Sequence, residues 1–207
     1  MTTMNIERKV TVAAVAAITT IMVMTWSAPA YSSAPQAPVS FIRSLYTQLN
    51  KLSSSTRSKS VLHSKLAAEL TRHMDYQELA ARVLGKRTWT GLSTNKRTEF
   101  SGLLTQMVER AYVRRFRPGV PIEISYDNKP KLKRDGRAQV RTQVTVNKTR
   151  ASVYYSMKPK ATGWRIYDII VDDVSQLSTY RRTFRKVLKR EGWSSLIARM
   201  KKSASDK

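Results

Sequence analysis

"WRIYDIIVDDVSQLSTYRRTFRKVLKREGWSSLI", Trp164–Ile197, changes its apolar period part-way along, and that change decides the fold. In "WRIYDIIV" strict alternation puts Trp164, Ile166 and Ile170 on one side with Asp168, and Tyr167, Ile169 and Val171 on the other. A strand that is apolar on both sides is expected to be central in its sheet or covered on both faces. "VDDVS" turns the chain, with Ser175 placed to cap a helix. In that helix Tyr180, Phe184, Val187 and Leu188 form the buried stripe, while Arg181, Arg182, Arg185, Lys186, Lys189 and Arg190 cover the outer face. Gly192 stops it, and a short final helix carries Trp193, Leu196, Ile197 and Met200. The corner therefore predicts a helix folded back over a sheet, its apolar side facing the space between sheet and helices.

Working upstream, three more stretches alternate. "VPIEISY" sets Val120, Ile122, Ile124 and Tyr126 on one face, "RAQVRTQVTV" sets Ala138, Val140, Thr142 and Val144, and "ASVYYSM" sets Val153, Tyr155 and Met157. Polar turns join them, Asp135-Gly136 among the signals. Before residue 120 the period is helical. Phe41, Ile42, Leu45, Tyr46, Leu49 and Leu52 share one face, and Val61, Leu62, Leu66 and Leu70 continue or restart the pattern after "SSSTRSKS". A short helix follows, with Asp75 near its start and Gly85 as its stop. The strongest helix carries Phe100, Leu103, Leu104, Met107, Val108, Ala111 and Tyr112, with Ser93 or Thr94 as cap and Pro118 beyond its end. Helices, then strands, then helices again predict an α+β fold: an antiparallel sheet of about four strands covered by helices.

Arg8 and Lys9 precede the uncharged run Val10–Trp26, and Ala28-Pro29-Ala30 has the small-x-small form of a signal-peptidase site. Residues 1–30 are therefore read as a secretory signal, 31–38 as a flexible linker, 39–202 as a single domain and 203–207 as a disordered tail. A retained membrane anchor is the alternative for the apolar run, which lies near the lower length for a spanning helix. The 207 residues contain no cysteine, which excludes disulfides, thiolate metal sites and a cysteine nucleophile. The formal net charge is +24 with 41% apolar residues, so the chain is globular and suited to anionic partners. For an exported protein those are membrane headgroups or acidic protein faces; nucleic acid is not expected, since aromatics are not interleaved with the cations as in a stacking platform. A solvated face is the default reading of the basic helix 180–190, with docking on an acidic partner or on an anionic membrane surface as the alternatives.

No catalytic signature and no metal-ligand spacing is present. His63 and His73 do not share a helix face, and the adjacent Asp172 and Asp173 would point to opposite sides of a strand. Asp168 alone invites chemistry, as an acid among apolar residues that could serve as a general base; pairing with an arginine or capping a backbone group is the competing role. No cofactor, no metal and no catalysis are expected.

Trp164, Tyr167, Asp168, Val171, Asp172, Val174, Ser175, Tyr180, Arg181, Phe184, Gly192, Leu196 and Ile197, with Leu84, Gly85, Trp89, Arg97, Phe100 and Tyr112 upstream, together resemble the MlaC/toluene-tolerance family. The pattern order covers roughly residues 40–200, and Asp173 departs from it where glycine is usual. The resemblance implies a periplasmic lipid-binding component of an ABC transport system. Its fold would enclose an apolar cavity for acyl chains, with the headgroup near the mouth. The implied partners are phospholipid, an inner-membrane MCE-domain transporter subunit and an outer-membrane lipoprotein/porin complex, acting in outer-membrane asymmetry. The carrier is expected to be monomeric, and a hopanoid or other polycyclic ligand stays open. The facing stripes make Leu104, Met107, Val108, Tyr112, Val140, Val144, Val153, Tyr155, Ile166, Ile170, Tyr180, Phe184 and Leu188 the candidate lipid-binding residues; each also fits plain core packing.

Overall fold

The change of period near residue 120 divides the molecule into a helical half and a sheet half. The computed structural model describes residues 37–146 and 149–205 of the chain. The expected signal segment, linker residues 31–36 and residues 206–207 lie outside the described residues. α1 (Pro38–Ser55) opens on a proline, whose missing N–H is unneeded in a first turn, and buries Phe41, Ile42, Leu45 and Leu49. α2 (Lys59–His73) is a separate helix, capped by Ser58 and burying Leu62, Leu66 and Leu70. α3 (Tyr76–Leu84) starts at Asp75, whose side chain accepts from the Glu78 amide, and ends at Gly85 with φ 82°. α5 (Thr94–Val113) is capped by Ser93 and buries Phe100, Leu104 and Val108.

Between them α4 (Lys86–Gly91) was not expected from the sequence, and it buries no residue. Its threonines and glycine are weak helix formers. Arg97 holds it from α5, donating through Nε to the Trp89 carbonyl and through Nη2 to the Thr90 carbonyl.

The sheet contains β1 (Glu123–Tyr126), β2 (Lys131–Leu132), β3 (Ala138–Val146), β4 (Thr149–Lys160), β5 (Gly163–Val171) and β6 (Val174–Ser175). Their order is β1-β3-β4-β5-β6, with β2 also on β3, and every pairing is antiparallel. The four long strands are those read from alternation; the two extra pieces are two residues each. β5 is covered but not central. Trp164, Ile166, Tyr167, Asp168 and Ile169 are all buried, yet its outer edge meets only β6 and a bridge from Met74 to Ile166.

A bulge disturbs β5. Ser156 pairs with Asp168 and Met157 with Ile166, leaving Tyr167 without a partner. Tyr155 and Met157 share a face of β4, and opposite them stand Ile169 and Ile166. The residue that follows Ile166 on its own face is therefore Ile169, not Ile170.

Asp172 and Asp173 turn the chain from β5 into β6 as a two-residue hairpin, both in the left-handed region at φ 45° and φ 64°. Asp172 is anchored: its Oδ1 accepts from the Ser152 amide (2.8 Å) and its amide donates to the Ser152 carbonyl (2.9 Å). α6 (Gln176–Ser205) is two helices joined at Gly192, where φ 81° and ψ −175° break the spiral. The helical backbone runs through residues 203–205 of the expected tail, and Arg110 donates to the Ala204 carbonyl there. α6 packs on α3 and α5 as well as β5, with the Phe184 ring 5.8 Å from Phe100 and 5.6 Å from Tyr180.

Candidate ligand cavity

With α5 and α6 packed on each other, the helix that spans the face of β1 and β3 is α1. Between α1 and the sheet lies a cavity of about 380 Å³. That volume falls in the lower part of the range for ligand sites, about 300–1,000 Å³. Leu45, Tyr46 and Leu49 of α1 form one wall, and Val144, Ala151, Val153, Tyr155, Ile166, Ile169 and Val171 form the sheet wall. Leu70, Ile122, Thr149, Tyr112 at the end of α5 and Arg114, Arg115, Phe116 and Arg117 just after it complete it.

Two polar features interrupt this apolar lining. Deep inside, the Tyr46 and Tyr155 hydroxyls bond each other at 2.6 Å, with the rings edge-on at 6.3 Å. Burial pushes Tyr46 up to about 12 and Tyr155 well above the ordinary tyrosine range, so both stay neutral. At the open side stand Arg114, Arg115 and Arg117, all exposed, with Phe116 half-buried between them. The Arg115 guanidinium lies 5.7 Å from the centre of the Tyr112 ring. Burial of that ring pushes the Tyr112 hydroxyl up, against the opposing pull of the Arg115 charge.

Of the residues singled out from the sequence, the cavity brings together Tyr112, Val144, Val153, Tyr155 and Ile166. Leu104, Val108 and Val140 sit in the packed core at 0%, 3% and 0% exposure. Met107, Tyr180 and Leu188 pack against that core, and Phe184 belongs to the ring cluster with Phe100 and Tyr180. These stripes on α5 and α6 close against each other and leave no room beside them. Ile170 is displaced by the bulge, and Ile169 lines the cavity in its place. The α1 wall was legible as a helical face, but nothing local says which helix spans the open sheet. The arginines carried no sequence signal beyond general basicity.

Asp168 does not line the cavity. One carboxylate oxygen accepts from the Leu177 amide (3.0 Å) and the other from the Ser175 hydroxyl (2.7 Å), while Ser175 Oγ itself accepts from the Ser178 amide (3.0 Å). The acid therefore caps the start of α6 through its first turn. Burial raises its pKa, and these hydrogen bonds resist the rise. His73 packs its ring 5.3 Å from Phe41, and no group of His, Cys, Asp or Glu suited to holding a metal occurs among the described residues.

Residues 41–202 match the family described as MlaC protein. The chain belongs to the MlaC family. Among curated proteins none matches significantly. Among solved structures, the fold resembles that of a phospholipid-binding protein from Ralstonia solanacearum, determined in complex with a phospholipid. The TM-score is 0.71 at 14% sequence identity, and the match covers 81% of this chain and 96% of that one. At that identity the likeness establishes a common fold. Family membership accords with the α+β order of elements and with the Trp164–Ile197 corner that suggested it.

Proposed function

We propose that this protein is a non-catalytic lipid carrier of the periplasm. It holds phospholipid acyl chains in the cavity between α1 and the sheet and moves them between the inner and outer membranes. The observation that carries this reading is the apolar cavity of about 380 Å³ in a chain of the MlaC family, open on a basic rim. Exposing one acyl chain of about 15 methylenes to water costs about 12 kcal/mol at about 0.8 per CH₂. A carrier crossing an aqueous space therefore needs a cavity of this kind. The phospholipid held by the Ralstonia relative supports the same ligand class here. Residues 1–30 serve as the export signal, and no helix among the described residues is long and apolar enough to cross a membrane. The partners are those of an Mla-type system, an inner-membrane MCE-domain subunit and an outer-membrane lipoprotein/porin complex. Asp168 has no role in chemistry on this reading, because its carboxylate is committed to the cap of α6.

Native mass spectrometry of the protein purified from its own envelope, followed by lipid extraction, tests the proposal. The expected result is one phospholipid at near-equal stoichiometry. A polycyclic lipid in its place would keep the carrier and change its cargo. An apo mass with no extractable lipid would refute the carrier.

A further inference from the structure

The cavity mouth carries more positive charge than an apolar ligand requires, and that charge is held on a fixed support. Arg115 and Arg117 lie on the segment that leaves α5 for β1, and α1 fastens this segment at several points. The buried Ser53 hydroxyl sits 2.9 Å from both the Arg117 and Val120 carbonyls, and the Gly119 amide donates to the Ser53 carbonyl at 2.9 Å. One turn earlier Asn50 bonds Ile122 in both directions, accepting from its amide (2.8 Å) and donating to its carbonyl (2.9 Å). The loop is thus tied to the same helix that walls the cavity. Neither Arg115 nor Arg117 lies within ion-pair distance of a carboxylate among the described residues. The helix C-terminus explains why cations are favourable there. It supplies no formal counter-charge for the guanidinium groups; that of Arg115 lies beside the Tyr112 ring, and Arg117 also lines the cavity.

We infer that this mouth selects lipids whose headgroup carries a net negative charge, in preference to zwitterionic lipids with the same acyl chains. The inference rests on the carrier reading and adds a headgroup class to it. A guanidinium pairs with a phosphate oxygen in either lipid, but in a zwitterionic headgroup the tethered ammonium opposes a cationic rim. An uncharged headgroup extension on the same phosphate leaves the full charge for Arg115 and Arg117.

The test loads delipidated protein from vesicles of equimolar phosphatidylglycerol and phosphatidylethanolamine with identical acyl chains, then extracts and quantifies the bound lipid. Both lipids share one vesicle, so attraction of the basic protein to the bilayer does not bias the ratio. The expected result is about four-fold enrichment of phosphatidylglycerol, from two exposed charge pairs each worth about a factor of two. In the Arg115→Gln/Arg117→Gln variant the bound ratio falls to that of the vesicle, and Arg115→Lys/Arg117→Lys restores the enrichment. The exposed pair Arg182→Gln/Arg185→Gln on α6 leaves the ratio unchanged. Loading of the unaltered protein at the vesicle ratio overturns the inference while the carrier stands. Loss of enrichment in the α6 variant overturns it as well, by moving discrimination away from the mouth. Protein that takes up neither lipid overturns both.

Discussion

Asp173 shows at the scale of one residue how a side chain other than glycine can occupy a left-handed corner. Its φ of 64° is a conformation that glycine adopts without strain and aspartate adopts at a small cost. Its neighbour Asp172 has a compensating contact through the Ser152 amide, but no such contact holds Asp173. Asp173→Gly should therefore raise stability by about 0.5 kcal/mol in urea unfolding, since strain relief exceeds the added freedom of the unfolded chain only slightly. Asp75 carries charge in a different way. Burial pushes its carboxyl up, but the Glu78 amide, Lys160 and Lys158 outweigh that and hold it below the ordinary aspartate range. Its Oδ2 lies 3.0 Å from Lys160 Nζ and 3.2 Å from Lys158 Nζ. A folded pKa below the unfolded one means stability present above the unfolded value of about 3.9 and lost as pH falls through the folded value. Asp75→Asn keeps an N-cap oxygen that accepts from the Glu78 amide while removing this charge. Its melting temperature should therefore fall less steeply than that of the unaltered protein as pH drops below about 4. Asp168 and Glu109, raised by burial, contribute in the opposite sense, but they titrate in both proteins and cancel from the comparison.

At the scale of the element, the bulge at Tyr167 does more than any side chain to define the cavity wall. It exchanges which of two adjacent isoleucines faces the ligand space, so the two positions should respond differently to the same substitution. Ile169→Trp should fill the cavity and cut lipid loading by about tenfold or more, while Ile170→Trp should load nearly as the unaltered protein does. Extraction of bound lipid after incubation with phospholipid vesicles measures both, with circular dichroism to establish that each variant is folded. Loss in Ile170→Trp with normal loading in Ile169→Trp would mean that strict alternation along β5 governs the wall after all. The helices behave as a set in the same way. α5 and α6 pack on each other and α6 also packs on α3, which leaves α1 to roof the sheet.

Across the whole molecule the dominant quantity is a net charge of +24. Among the described residues few of the cations sit in ion pairs; the densest group is at Asp75 and Glu78, where Lys158 and Lys160 tie the start of α3 to β4 and Arg82 pairs with Glu78 within α3. Such a body should adsorb to anionic vesicles through long-range attraction, and raising salt shortens the range of that attraction to a few ångströms. Sedimentation with phosphatidylglycerol vesicles should show affinity falling by about tenfold or more between about 0.05 and 0.5 M salt. Binding that is insensitive to salt would point to insertion of apolar surface instead. This adsorption and the headgroup selection at the mouth are separable, because the first depends on the summed charge and the second on two residues.

Local chemistry was sufficient for the elements. The switch from helical to strand period, the caps at Asp75, Ser93 and Ser175, and the breaks at Gly85 and Gly192 are all set within a few residues and appear in the fold where the sequence puts them. The Trp164–Ile197 corner likewise carries its family resemblance in consecutive residues. What the sequence by itself determined was therefore the order and type of the long elements, the α+β class and the basic character of the chain. The cavity is different in kind, because an apolar stripe records that a residue is buried and not what it is buried against. Leu104, Val140 and Phe184 are as apolar as Val144, Val153 and Ile166; only the packing of elements distant in sequence sends the first group into the core and leaves the second facing open space. The bulge at Tyr167 is equally invisible, since it arises from pairing between β4 and β5 and from nothing in either strand alone. Tertiary structure decided the site, because a cavity is what the packing of distant elements fails to fill.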